Sequence, residues 1–183
     1  VEVGKCDDIS VPHIYDLTGK LTPGQHQLDI KVDNGNSVPK QLLGSSHAYT
    51  EDTQTNWNGI IGKMYLEAKE SPVTVKSIRT SPIASKNKVN IEINLEGNPK
   101  QKYNVKLNFS GKQKKDKEIE ITHSGISRRT INEDGTTTLF YTYDLGENAK
   151  KWSEHTPQNL NKVKVRVECK GKSDEMTTTF ALC

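Results

Sequence analysis

The chain has 183 residues, 32% of them hydrophobic, with 26 basic against 23 acidic side chains and a formal net charge of +3. That near-neutral balance is not the charge of a nucleic-acid binder, and no stretch approaches the roughly 20 apolar residues that a membrane helix needs. The length allows one or two domains, and the mean hydropathy of -0.76 suits thin β-sandwiches with one solvated face per sheet.

Alternation of apolar and polar residues dominates, and helical periodicity is nearly absent. Residues 27–33, Gln27-Leu28-Asp29-Ile30-Lys31-Val32-Asp33, predict a strand with Leu28, Ile30 and Val32 on its buried face. A Pro23-Gly24 turn precedes it and the breaker Asn34-Gly35 follows. A polar run over 50–58 carries one indole, Trp57, and ends at Gly59. It passes into an apolar strand over 60–66, in which Gly62 marks a bulge or a close backbone approach.

Ser71-Pro72 reads as a domain junction. Strands are then expected over 73–83, 89–95, 103–109, 118–121, 137–145, 163–167 and 176–182, with a short helical turn around 148–152. Strands at this spacing, with turn signals between them, are the pattern of an immunoglobulin-like sandwich. The basic run Lys112-Gln113-Lys114-Lys115-Asp116-Lys117 has no aromatic interleaving and sits between strand patterns, so it reads as a solvated hairpin tip.

Three segments carry a family resemblance. Residues 12–34, PHIYDLTGKLTPGQHQLDIKVDN, and 53–68, TQTNWNGIIGKMYLEA, resemble parts of the sugar-binding jelly-roll domain of glycoside hydrolase family 2, the β-galactosidase and β-glucuronidase family. Residues 143–169, with Trp152, Pro157 and Leu160, resemble the Trp-x-x-x-x-Pro-x-Leu-Tyr motif of that family's immunoglobulin-like domain. The third segment departs from the motif: it is one residue longer, and Asn161 stands where Tyr is usual. The resemblance implies an all-β fragment, with residues 1–70 the C-terminal part of a truncated jelly roll and 71–183 an immunoglobulin-like β-sandwich. It also implies a catalytic (β/α)-barrel in the same parent chain, and a periplasmic or secreted parent, although no signal segment is visible.

Retaining glycoside hydrolysis needs two carboxyl groups about 5–5.5 Å apart. Adjacent acids occur at Asp7-Asp8, Glu51-Asp52, Glu133-Asp134 and Asp174-Glu175, but neighbours in a strand point to opposite faces. Asn132-Glu133 matches the dipeptide that carries the acid/base in the family's barrel. Here Asp134-Gly135 follows it between two strand patterns, so a hairpin turn accounts for it. His13, His26, His47, His123 and His155 are scattered without metal-ligand spacing, and no catalytic residue, metal or cofactor is expected. Cys6, Cys169 and Cys183 leave at least one thiol unpaired within the chain, and which two might bridge stays open.

The remaining candidate is the 47–58 loop, which in family 2 enzymes reaches the barrel mouth and helps line the substrate pocket. Asp52, Gln54, Asn56, Trp57 and Asn58 are the positions for sugar contact, since hydroxyls need matched donors and acceptors and pyranose C–H faces lie on indole rings. The structural alternative makes Trp57 a plug for the end of a sandwich. The function expected is therefore a non-catalytic accessory fragment that braces the barrel and shapes its pocket. A free-standing carbohydrate-binding module and an immunoglobulin-like cell-surface spacer are the rivals. Expected partners are carbohydrate, the barrel, and a second copy met through the uncovered first segment; neither nucleic acid nor membrane is expected.

Overall fold

The computed structural model describes residues 2–8, 11–33, 59–111, 114–121, 126–147 and 149–183, with the backbone alone at 111 and over 114–121. The chain divides into two units, Val1–Tyr65 and Leu66–Cys183.

The second unit is an all-β sandwich of two antiparallel sheets. Its strands are β1 (Val73–Ile83), β2 (Lys88–Gly97), β3 (Asn104–Gly111), β4 (Lys114–Ile121), β5 (Arg128–Ile131), β6 (Thr137–Asp144), β7 (Leu160–Cys169) and β8 (Lys172–Ala181). One sheet has the order β1-β2-β6-β5 and the other β4-β3-β7-β8. The chain changes sheet between β2 and β3, between β4 and β5, and between β6 and β7.

Side-chain alternation decides which way each strand faces. In β2, Val89, Ile91, Ile93 and Leu95 are buried, while Asn90, Glu92 and Asn94 turn outward. In β7, Val163, Val165 and Val167 are buried between Lys162, Lys164 and Arg166. These rows meet Val105 and Leu107 of β3, Leu139 of β6 and Leu182 in a single core drawn from both sheets. Each fully buried branched side chain contributes about 1.5–3 kcal/mol relative to exposure. Phe109 of β3 stacks on Tyr143 of β6 with ring centroids 3.8 Å apart and planes 8° apart, so an aromatic pair joins the two sheets.

Edges are closed by specific bonds. β1 carries a register irregularity between Val75 and Ser77, and there the Val75 N–H donates to Asp174 Oδ2 of β8 at 2.8 Å. An edge strand of one sheet is thereby tied to an edge strand of the other. Opposite Val73, Gly97 adopts φ 129, and a Cβ built there would lie 2.4 Å from the Pro72 carbonyl oxygen. Glycine is required at that position for conformation and for space together.

The expected strand over 73–83 coincides with β1, and the others fall inside or across β2, β3, β4, β6, β7 and β8. Three expectations need correction. The basic run lies at the β3–β4 hairpin, but residues 114–117 belong to β4, since pairing runs as far as Gly111↔Lys114; residues 112 and 113 lie outside the described residues. No helical turn forms over 149–152; a 3-10 turn occurs instead at Ala84–Lys86, ended by left-handed Asn87. Within the first unit, residues 27–33 form no strand, and Leu28, Ile30 and Val32 are exposed. The same holds for 60–66, where Ile60, Ile61, Met64 and Tyr65 face solvent. A period-2 pattern specifies a strand only when a neighbour takes up its backbone hydrogen bonds, and among the described residues neither segment has one.

Candidate functional site

The loop candidates Asp52, Gln54, Asn56, Trp57 and Asn58 lie outside the described residues, as does His47. On the described side of that loop, Gly59 and Gly62 have φ of 81 and 92. Among the described residues, nothing lies within 4 Å of a Cβ built at Gly62. What calls for glycine there is the left-handed backbone, neither a bulge nor a close neighbour.

Of the acidic pairs in the second unit, Asp134, Asp174 and Glu175 are held by local partners. Asn132, Glu133, Asp134 and Gly135 form the β5–β6 turn, closed by the Gly135 N–H on the Asn132 carbonyl at 3.0 Å. The Asn132 side-chain amide donates to Thr136 Oγ1 at 2.7 Å and Thr138 Oγ1 at 2.9 Å. Asp134 accepts from the hydroxyl and the backbone N–H of Thr136, and these bonds, with Lys76 at 3.6 Å, hold its carboxyl below the ordinary aspartate range. Asp174 and Glu175 point to opposite sides of β8: Asp174 binds the Val75 N–H and lies 3.7 Å from Lys69, while Glu175 lies 3.3 Å from Lys164. Asp134 thus fastens the turn, and Asp174 and Glu175 fasten β8 to its surroundings.

The third motif forms a corner between β6 and β7. The Trp152 N–H donates to the Leu182 carbonyl at 2.9 Å, which anchors the loop to the chain's last strand region. Two successive turns follow, Thr156 N–H to Ser153 O and Asn159 N–H to Thr156 O, both at 3.0 Å. The Asn159 side-chain amide reaches back to the Lys151 carbonyl at 2.9 Å. Leu160 then opens β7. This corner connects the two sheets; Trp152 is half-buried and Pro157 is exposed.

Each outer face of the sandwich carries a shallow depression. On the β1-β2-β6-β5 sheet it encloses about 460 Å³ beside Asn90, Glu92, Ser127, Arg128, Phe140 and Thr142. The Arg128 guanidinium lies 4.0 Å from the Phe140 ring centroid, and Thr142 Oγ1 donates to Asn90 Oδ1 at 2.7 Å. One face of the Phe140 ring is thereby covered by a cation. On the other sheet a smaller hollow of about 200 Å³ lies among Lys106, Asn108, Lys164, Arg166 and Glu175. Glu168 lies 3.6 Å from Lys106 and 3.2 Å from Arg166, so these cations are paired.

Sequence reasoning missed Arg128 and Phe140, because their meeting depends on the β5–β6 register and β5 is short and exposed. His13 and His26 bond the carbonyls of Asp8 and Thr22, and His155 lies beside Glu154. Among the described residues no group of three metal-ligating side chains is brought together. The three cysteines are free thiols; Cys169 is buried, with its Sγ–H donating to Gln101 Oε1 at 3.0 Å. Burial pushes the Tyr103 phenol up, and its hydroxyl has no hydrogen-bond partner among the described residues.

No protein-family model matches this chain, and no curated protein matches it either.

Proposed function

We propose that this chain is a non-catalytic accessory part of a family 2 glycoside hydrolase resembling a β-galactosidase. Residues 71–183 form an immunoglobulin-like domain that braces the catalytic barrel. Residues 1–70 are the closing part of a jelly roll, and its loop carries Asp52, Gln54, Asn56, Trp57 and Asn58 to the barrel mouth. The barrel's two carboxyl groups perform the retaining chemistry, outside these residues.

One observation carries the reading. The order β1-β2-β6-β5 opposite β4-β3-β7-β8 corresponds to the ABED and GFC sheets of an immunoglobulin-like sandwich with one added edge strand. It falls in the part of the chain where the resemblance puts that domain, and the Trp152 corner sits at the entry to the strand equivalent to F. The three motifs in family order support the reading independently.

The reading frame that carries this sequence in its source tests the proposal. A barrel encoded after Cys183, with a pair of catalytic glutamates, is the expected result. A further array of sandwich domains would overturn it in favour of the spacer reading.

A further inference from the structure

We propose that residues 27–33 are a self-complementary strand through which two copies of this chain pair antiparallel about a two-fold axis at Ile30. This inference does not depend on the glycosidase reading.

The segment presents apolar side chains to solvent at alternate positions. Leu28, Ile30 and Val32 are 63%, 49% and 48% exposed, which is high for three branched residues at alternate positions. On the other face the Gln27 side-chain amide donates to Asp29 Oδ1 at 2.9 Å, a contact between residues two apart that suits extended backbone. No neighbouring strand is found for it among the described residues.

The sequence selects its own partner. With Ile30 opposite Ile30, antiparallel pairing sets Leu28 against Val32 and Asp29 against Lys31, each twice by symmetry. The apolar faces of both copies then coincide, and two opposite-charge pairs form on the polar face. Other registers fail. Sliding by one residue sets apolar side chains against charged ones. Sliding by two sets Asp29 against Asp29 in one direction and Lys31 against Lys31 in the other. Parallel in-register pairing brings like charges together at both positions. A single arrangement satisfies hydrophobic face and charge together. A two-stranded ribbon is marginal on its own, so the association is weak and driven by concentration.

Cross-linking tests the register. The probe is the whole chain with Cys6→Ser, Cys183→Ser and Ile30→Cys, oxidised gently at rising concentration and mapped by peptide mass. A bridge from position 30 to position 30 is expected, forming faster than the bridge of a control with Asp29→Cys in place of Ile30→Cys. In the Ile30→Cys background, Asp29→Lys alone should slow the bridge by about tenfold, since both ion pairs become repulsions. The double change Asp29→Lys with Lys31→Asp should restore it. Equal rates at 29 and 30, or no recovery in the double variant, would overturn the proposal. Sedimentation of the unmodified chain gives a second readout: a dimer that Asp29→Lys abolishes supports the pairing, and a dimer indifferent to it places the contact elsewhere and contradicts the proposal.

Discussion

The Val75 backbone N–H, at the irregularity of β1, is satisfied by the Asp174 carboxylate of β8, 99 residues further along the chain. A strand that leaves its ladder for one residue exposes a donor, and here a side chain of the opposite sheet accepts it. Asp174→Ala should cost about 1–3 kcal/mol, the penalty of leaving a part-buried donor unmatched. Asp174→Asn, whose amide oxygen can still accept, should lose less. Urea unfolding of the three proteins checks the order.

Stability should be concentrated in the second unit. Leu107 is fully buried, so Leu107→Ala should cost about 2–5 kcal/mol. Leu28 is 63% exposed, and Leu28→Ala should stay within about 0.5 kcal/mol in dilute protein. Similar losses at both sites by thermal unfolding would contradict this distribution of the core.

Gly97 should tolerate no side chain. Its φ of 129 and the 2.4 Å approach of the Pro72 oxygen mean that Gly97→Ala must move backbone at the junction with β1. A loss of about 1–3 kcal/mol is expected from strain and crowding. Gly135, which has nothing within 4 Å of a built Cβ, provides the contrast: Gly135→Asn should be milder, since asparagine accepts positive φ. Melting temperatures of the two variants test the ranking.

Much of the sandwich was legible because both conditions for a strand, apolar alternation and available neighbours, hold from Val73 onward; β1 coincides with its expected span. β5 escaped notice because Arg128-Arg129-Thr130-Ile131 is short and exposed, and is recruited by the turn at Asn132 rather than by a buried face. The start of β8, Lys172-Ser173-Asp174-Glu175, is polar and is held by pairing to β7, a tertiary cause that no local pattern displays. Residues 27–33 show the converse, a clean pattern without a neighbour in the described chain. Residues 47–58 lie outside the described residues, and the sugar-contact reading of Trp57 rests on polar chemistry around one indole together with family resemblance.

Acid should loosen the β5–β6 turn before the core. Asp134 is held below the ordinary aspartate value of 3.8 by its bonds from Thr136, and Glu70 below 4.5 by Lys172 at 2.7 Å. A depressed carboxyl contributes stability that is present above its unfolded value and lost as pH falls through the folded one. The turn contribution is therefore whole above 3.8 and disappears below it. Lys172 is raised above 10.5 by Glu70, so the Glu70–Lys172 contribution is also lost as pH climbs past that value. NMR titration of the Thr136 amide should follow Asp134 in the unmodified chain and flatten in Asp134→Asn.

The proposed accessory role is tested most directly by steady-state hydrolysis of nitrophenyl β-galactoside, comparing residues 1–183 alone with the polypeptide that the proposal takes as its parent. The parent should turn over substrate, Trp57→Ala in the parent should raise KM severalfold with a smaller change in kcat, and residues 1–183 alone should show no turnover. Reproducible hydrolysis by residues 1–183, abolished by Glu133→Gln, would contradict the account by placing the chemistry on the turn assigned here to structure.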